Sequence, residues 1–129
     1  MLIPAGLLIV LVMASIAVDM ALVQLRQRQA HDLAAGAAND AATAAADQAG
    51  LRTGSPSVDG DRAQAVVAEI VAASDLAPQV VGTPRVSVDG ARVEVEVALH
   101  ADYIFAGVVP GAPDGLTVTA TASAVAEPP

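Results

Sequence analysis

The chain has 129 residues and a formal net charge of −8 at pH 7, with 14 acidic residues against six arginines and no lysine. So few basic side chains argue against a nucleic-acid partner, because binding phosphate groups requires clustered Lys and Arg. The absence of cysteine excludes disulfide bonds and thiol chemistry.

The chain opens with an apolar stretch that has the length of a membrane span. Residues 1–25 are almost wholly apolar, and no charged residue occurs between Leu2 and Val18. A helix needs about 20 apolar residues to cross the hydrocarbon core of a bilayer. Pro4 lies in the first turn, where a missing N–H costs little. We therefore predict a transmembrane anchor over residues 1–25, with the lipid bilayer as its partner, at the start of one helix that reaches about Gln48.

One acidic residue, Asp19, interrupts the apolar stretch between Val18 and Met20. An ionised carboxylate near the middle of a bilayer is costly, and Asp19 lies in the last third of the stretch. Three interpretations stay open: a carboxylate at the membrane interface, a carboxylate that pairs with a partner inside an assembly, and a helix buried in a soluble core. We take Asp19 as a candidate partner-contact residue.

The charges around the apolar stretch bear on its orientation. Arg26 and Arg28 follow it, and no basic residue precedes it. Taken alone, this distribution would place the residues after the span in the cytoplasm. The triplet Ser15-Ile16-Ala17 also matches the small-x-small pattern of a signal-peptide cleavage site. A secreted protein that begins at Val18 is therefore an alternative to the anchored protein.

Residues 26–48 continue the helix as an alanine-rich extension. Alanine has the highest helix propensity because it loses no side-chain entropy. A smooth face of small side chains lets another helix or a sheet approach closely. Three arrangements stay open: packing on the protein's own sheet, packing on a second subunit, or both on different faces of the helix. The candidate partner-contact residues on it, at spacings of three and four, are Ala34, Ala38, Ala41 and Ala45.

Residues 49–60 form a predicted loop between this helix and a small α+β head, residues 61–129. Glycines, serines and Pro56 interrupt any hydrophobic period in the loop. We expect Asp59 or Asp61 to cap the helix that follows, because either carboxylate can accept a hydrogen bond from a free N–H.

A second, short helix is predicted over residues 62–76. Apolar residues recur there at helical spacing, and Pro78 ends the pattern. The side chains expected to face the core are Ala63, Val66, Val67, Ile70, Val71 and Ser74.

Residues 84–99 carry the clearest hairpin signal, since valines alternate on both sides of an Asp-Gly pair. Asp89-Gly90 suits a two-residue type I′ turn, which needs positive φ at both positions. Such a turn places Val88 opposite Ala91. The alternation puts one set of side chains on the core-facing side of the hairpin: Val86, Val88, Val93, Val95, Val97 and Leu99.

The remaining segment predicts a loop and a last strand. Prolines and glycines mark a loop within residues 100–115, where we expect Tyr103, Ile104 and Phe105 to plug the end of the sheet. Residues 116–126 alternate between apolar and hydroxyl side chains and predict a strand. The fold class is therefore α+β, with a long N-terminal helix, a second short helix and an antiparallel sheet of about three strands.

The sequence contains no recognisable catalytic, cofactor-binding or metal-binding pattern. His31 and His100 lie in different predicted elements, and no phosphate-binding, zinc or nucleophile motif occurs. The Asp59–Asp61 segment resembles a fragment of a calcium loop, but no glutamate closes it at the required spacing. Glu94 and Glu96 fit a solvated strand face that discourages edge pairing. We therefore expect a protein that is not an enzyme and has no cofactor.

The run IAVDMALVQLRQRQAHDLAAGAANDAATAAAD, residues 16–47, resembles the N-terminal segment of the TadE/TadG-like Flp pilus-assembly family. Members show an apolar span, an acidic residue in a small apolar setting, a basic and glutamine-rich collar, and an Ala/Asp-rich helix. The final segment LTVTATASAVA is also similar to that family. The residues at matching positions are Asp19, Arg26, Arg28, Asn39 and Asp40.

This resemblance implies a pilin-like fold and a minor pilin or pilus-assembly component of a Tad/Flp-type system. It further implies a single-pass anchor in the cell membrane, an extracellular head, other pilus or Tad-system proteins as partners, and self-assembly as a further option. Pilins of this system carry a glutamate shortly after leader cleavage. Because no glutamate lies near the start, TadG-like members that keep the span as an anchor match better. A membrane-tethered extracellular binding module unrelated to pili is the other alternative, beside the secreted protein.

Overall fold

The computed structural model of the chain describes residues 2–46, 57–106, 110–111, 113 and 115–126. The described part confirms the α+β class, with a long N-terminal helix, a second shorter helix and a three-stranded antiparallel sheet. The elements in chain order are α1 (Leu2–Ala44), α2 (Gly60–Ala73), a 3₁₀ turn (Ala77–Gln79), β1 (Arg85–Asp89), β2 (Arg92–Asp102) and β3 (Gly115–Val125).

α1 runs without a break through the predicted anchor and the alanine-rich extension. It ends at Ala44, before the predicted end near Gln48, which lies outside the described residues. Shortly after the helix, Ala46 forms an antiparallel bridge with Val58. The end of α1 and the residues just before α2 therefore lie side by side, and most of the predicted loop, residues 49–60, lies outside the described residues.

α2 begins and ends earlier than predicted, over Gly60–Ala73. The carboxylate of Asp59 accepts a hydrogen bond from the N–H of Asp61 at 3.1 Å, which confirms Asp59 as the cap. The hydroxyl of Ser74 accepts from the N–H of Leu76 at 3.1 Å, and this local turn replaces the last predicted turn of helix. The predicted core face is confirmed for Ala63, Val67 and Val71, which are buried, and for Val66 and Ile70, which are partly buried.

The sheet has the strand order β1-β2-β3, and both pairs are antiparallel. Val88 lies opposite Val93, so the predicted pairing of Val88 with Ala91 is wrong by two residues. A shift of two keeps each side chain on its predicted face of the sheet, because side chains alternate with period two. The core-facing set is consequently confirmed although the register was wrong.

The hairpin turn consists of Gly90 and Ala91 rather than Asp89 and Gly90. Gly90 has a φ of 60°, and no described residue other than glycine has a positive φ. A positive φ at the first central position alone fits a type II′ turn and excludes type I′, which needs positive φ at both positions. The turn therefore forms where glycine takes the left-handed position.

The core lies between the sheet and the two helices. α1 packs along β2 and β3, and α2 packs against α1 and β1. Alanines of α1 face valines of the sheet, and these small side chains bring helix and sheet close together. The largest fully buried side chains are Val67, Val93, Val95, Val97 and Leu99.

β2 continues to Asp102, past its predicted end, and pairs there with Gly115 at the start of β3. The side chain of Tyr103 is partly buried. Ile104 and Phe105 are 57% and 45% exposed, so the prediction that they plug the sheet is wrong for these two residues. Their side chains are therefore part of the exposed surface of the head.

Candidate functional site

The N-terminal part of α1 leaves its apolar side chains uncovered. Between Leu2 and Val18 the large apolar side chains are 42% to 89% exposed. At 1.5 Å per residue this stretch is about 25 Å long, close to the roughly 30 Å of a bilayer core. The helix is long and apolar enough to cross a membrane, and a signal sequence near the N-terminus has the same properties.

Asp19, the next residue, is 6% exposed and contacts the head. Its carboxylate accepts hydrogen bonds from three consecutive backbone N–H groups that follow β2. Oδ1 accepts from Ile104 at 2.9 Å and from Phe105 at 3.2 Å, and Oδ2 accepts from Ala106 at 3.0 Å. We call residues 103–106 the base turn, because they lie where the head meets the exposed part of α1.

Three consecutive N–H groups aimed at one anion make a concave, positively polarised site. Hydrogen bonds to an ionised acceptor are about twice as strong as those between neutral groups. Both oxygens of Asp19 are engaged in this way. Asp19 therefore fastens the base turn to α1, an intramolecular role that none of the three sequence interpretations contained.

Sequence reasoning missed this contact because its partners are 85 to 87 positions apart. Two signals pointed towards it. A lone carboxylate in an apolar helix needs hydrogen-bond donors when it is buried. Tyr103 and Phe105, which flank Ile104, are also the only aromatic residues of the chain. Neither feature predicts that Asp19 contacts the residues around Ile104, and only the fold brings them together.

The four alanines predicted as partner contacts lie inside the head. Ala34, Ala38, Ala41 and Ala45 are each at most 1% exposed and belong to the core. The protein's own sheet and α2 cover this face, which is the first of the two alternatives for it. We therefore assign these four residues to the core rather than to a contact with a second subunit, because they have no accessible surface.

β3 lies at an edge of the sheet, and within the described residues it pairs with β2 alone. The N–H of Ala126 donates to the carbonyl of Ala91 at 2.8 Å and so extends the same ladder. Along an antiparallel strand, the N–H and C=O groups of successive residues point alternately to the two sides of the strand. The backbone groups of the even-numbered residues of β3 therefore bond β2, and those of the odd-numbered residues point away from the sheet. In agreement, the carbonyl of Thr119 accepts from the side-chain amide of Gln27 at 2.9 Å.

The two edges of the sheet differ in how they are protected from further pairing. β1 has five residues and carries a charge at each end, on Arg85 and Asp89. β3 has eleven residues and contains neither a charged residue nor a proline. Proteins usually shield an exposed edge with charge, proline or a short strand. β3 is therefore a candidate pairing surface, and the carbonyl of Thr119 is the one outward group of it that a described residue, Gln27, already bonds. The residues of β3 with outward backbone groups are Gly115, Thr117, Thr119, Thr121, Ser123 and Val125.

β3 runs in the same direction as α1, away from the exposed apolar stretch. Its start pairs with Asp102, next to the base turn. Gln27 contacts Thr119 in the middle of β3, and Asn39 and Ser123 line one cavity near its end. The open edge consequently extends from the base of the head to its far end.

The described residues contain no group of three or more His, Cys, Asp or Glu side chains that could hold a metal ion. His100 and Asp102 form one pair at 2.9 Å, with side chains 40% and 78% exposed. Such exposed pairs contribute little to stability.

In comparisons with known proteins, no family model, no curated protein and no solved structure matches the chain.

Proposed function

We propose that the chain is a membrane-anchored component of a surface assembly, of the TadE/TadG-like pilus-assembly type. The observation that carries this proposal is the division of α1 into an exposed apolar part and a part buried in the head. One rigid helix of this kind holds a small head at a fixed place beside a membrane. The resemblance of residues 16–47 to that family supports a minor pilin or assembly component with an extracellular head.

The open edge of β3 is the surface we propose for contact with another subunit. An added strand would satisfy the outward N–H and C=O groups, as in β-strand augmentation. β3 runs in the same direction as α1, so an antiparallel pair of two copies would point their anchors in opposite directions. Two copies in one membrane therefore pair in parallel, whereas an antiparallel partner strand comes from a different protein.

The substitution T121P tests this surface in cells that naturally produce the protein. Proline removes the outward N–H of Thr121 but leaves the ladder to β2 in place, since that N–H faces away from β2. The matched control T121V keeps the N–H and removes only the hydroxyl. After deletion of the gene, we expect wild type and T121V to restore surface filaments, and T121P to restore few or none.

Two results would count against the proposal. Filaments that are unaffected by deletion of the gene would favour the membrane-tethered binding module unrelated to pili. Full restoration by T121P, at normal protein levels and with an unchanged circular dichroism spectrum, would remove β3 as the contact surface.

The secreted alternative has one specific observation in its favour. Among the described hydrogen bonds between α1 and the head, those of Asp19 come first along the helix, two residues after the small-x-small triplet that ends at Ala17. Cleavage there would therefore leave the head contacts intact. Mass spectrometry of the protein from its own cells decides the question, because a mature N-terminus at Val18 excludes the anchor.

A further inference from the structure

The base turn lies on the N-terminal side of the polar residues 24–29 of α1, which is the side of the predicted anchor. Basic residues at the end of a span lie among the lipid head groups, and here the first is Arg26, followed by Arg28. Asp19, which holds the base turn, precedes Arg26 by about 10 Å along the helix axis, at 1.5 Å per residue. If α1 spans a membrane, the base turn is thus at the boundary between head groups and acyl chains.

The side chains of the base turn suit that boundary. It carries no charge, and Ile104 and Phe105 are exposed next to the exposed apolar surface of α1. Both aromatic residues of the chain, Tyr103 and Phe105, occur in it. Aromatic and large apolar side chains are enriched in the interfacial region of bilayers. The head therefore presents apolar side chains where lipid is available to cover them.

A small cavity beside the base turn has the same mixed character. Its volume is about 240 Å³, and it lies between α1 and the end of β2. Apolar and charged side chains line it together, as expected where hydrocarbon meets head groups. Its principal lining residues are Leu22, Leu25, Arg26, Gln29, Asp102 and Ile104.

The backbone N–H groups of the base turn are hydrogen-bonded within the protein, which suits a poorly hydrated environment. An N–H group removed from water costs free energy unless it finds another acceptor. Asp19 accepts from the three N–H groups of Ile104, Phe105 and Ala106. Water is therefore not needed to satisfy them. This explains why a carboxylate occurs at the end of an otherwise apolar stretch.

From these four observations we propose that the base turn is a lipid-contact surface. Ile104 and Phe105 enter the interfacial region of the bilayer that holds α1, and Asp19 is the positioning residue that holds the turn there. The head then has a second attachment to the membrane beside its anchor, which fixes its tilt and the direction of the β3 edge. The inference depends on the membrane anchoring that is part of the proposed function.

A single tryptophan tests the contact, because the chain contains none. The full chain with F105W is reconstituted in phosphatidylcholine–phosphatidylglycerol vesicles, with or without bromine on the acyl chains. V125W is the matched control, since Val125 is 57% exposed and lies at the far end of β3. We expect brominated lipid to remove most of the F105W emission and to leave the V125W emission unchanged.

Flotation of the same vesicles separates the possible failures. If the protein floats with the vesicles but F105W is quenched no more than V125W, the lipid contact is wrong and the anchor stands. If F105W is shielded from both brominated lipid and aqueous iodide, another protein chain covers the turn, and the lipid contact is again wrong. A protein that does not float overturns both the contact and the anchor.

The double variant D19N/F105W tests the role of Asp19. Asparagine keeps one carbonyl oxygen but replaces the other acceptor with an NH₂ group, so at least one N–H of the turn loses its partner. We expect flotation to be kept and the quenching of F105W to fall towards that of V125W. Full quenching in D19N/F105W would show that the turn reaches lipid without Asp19.

Discussion

At the scale of single residues, the burial of a polar side chain and the position of a turn depend on hydrogen-bond partners and on allowed backbone angles. Asp19 is buried because three N–H groups of the base turn complete its hydrogen bonding. Gly90 takes the positive-φ position of the hairpin because it has no Cβ. Both residues stand out in the sequence, as a charge among apolar residues and as a glycine between two strands. The sequence does not identify the residues that bond Asp19, or which residue joins Gly90 in the turn.

Two glycine-to-alanine substitutions should have opposite effects on stability. G90A places a Cβ on a residue with a φ of 60° and should destabilise the head by about 1–2 kcal/mol. G36A is the control: Gly36 lies within α1, and an added Cβ there meets nothing within 4 Å. It should stabilise the helix by about 0.5–1 kcal/mol. Urea unfolding in detergent, followed by circular dichroism, measures both, and equal effects would contradict the assigned turn.

At the scale of elements, α1 serves two different environments along one axis. Its first part carries apolar side chains all around, which suits lipid. Its second part presents alanines to the sheet, and the short side chains allow close approach. The same small size that suggested a subunit interface is what packs α1 onto β2 and β3. The contact with another subunit that we propose is therefore assigned to the edge of β3.

A38L should destabilise the head, because Ala38 is fully buried and three added carbon atoms would overpack the core around it. We expect a loss of about 1–3 kcal/mol in the free energy of unfolding. A44L is the control on the exposed side of α1 and should change stability by less than about 0.5 kcal/mol. Chemical denaturation measures both variants. A stable A38L protein that fails to assemble would instead return the alanine face to a role between subunits.

At the scale of the whole molecule, the apolar stretch and the head are structurally separable. Among the described residues, the buried core cluster begins at Ala30, and Val23 is the earliest residue packed against it. Among the described hydrogen bonds between α1 and the head, those that Asp19 makes to the base turn are nearest to the exposed stretch. We therefore expect the head to pack without residues 2–18.

A fragment of residues 18–129 should consequently fold without detergent. We expect the amides of β2 to be as protected from hydrogen exchange as in the full chain, because the partners of β2 lie wholly within the fragment. The exposed Ile104 and Phe105 should make this fragment bind phospholipid vesicles weakly, and F105S should abolish that binding. Loss of amide protection in β2 would show that the head depends on its anchor.

Local patterns were sufficient to predict both α-helices and all three strands of the described residues, and they placed most side chains on the correct face, but they did not predict the 3₁₀ turn at Ala77–Gln79. The helical stripe around Val67 and the alternation from Val93 to Leu99 depend only on spacing along the chain. Element ends were less well predicted, as at Ser74, where a side-chain hydrogen bond competes with the helix. The hairpin register was wrong by two because two adjacent residue pairs could form the turn.

The sequence by itself determined the anchor-like helix, the α+β class and the buried faces, because hydrophobic periodicity and turn chemistry act between near neighbours. Only the tertiary structure decided what covers the alanine face, which strands form the edges of the described sheet, and what binds Asp19. Those contacts join residues up to 87 positions apart. No local pattern encodes which distant backbone groups will meet, so packing of the whole chain had to select them.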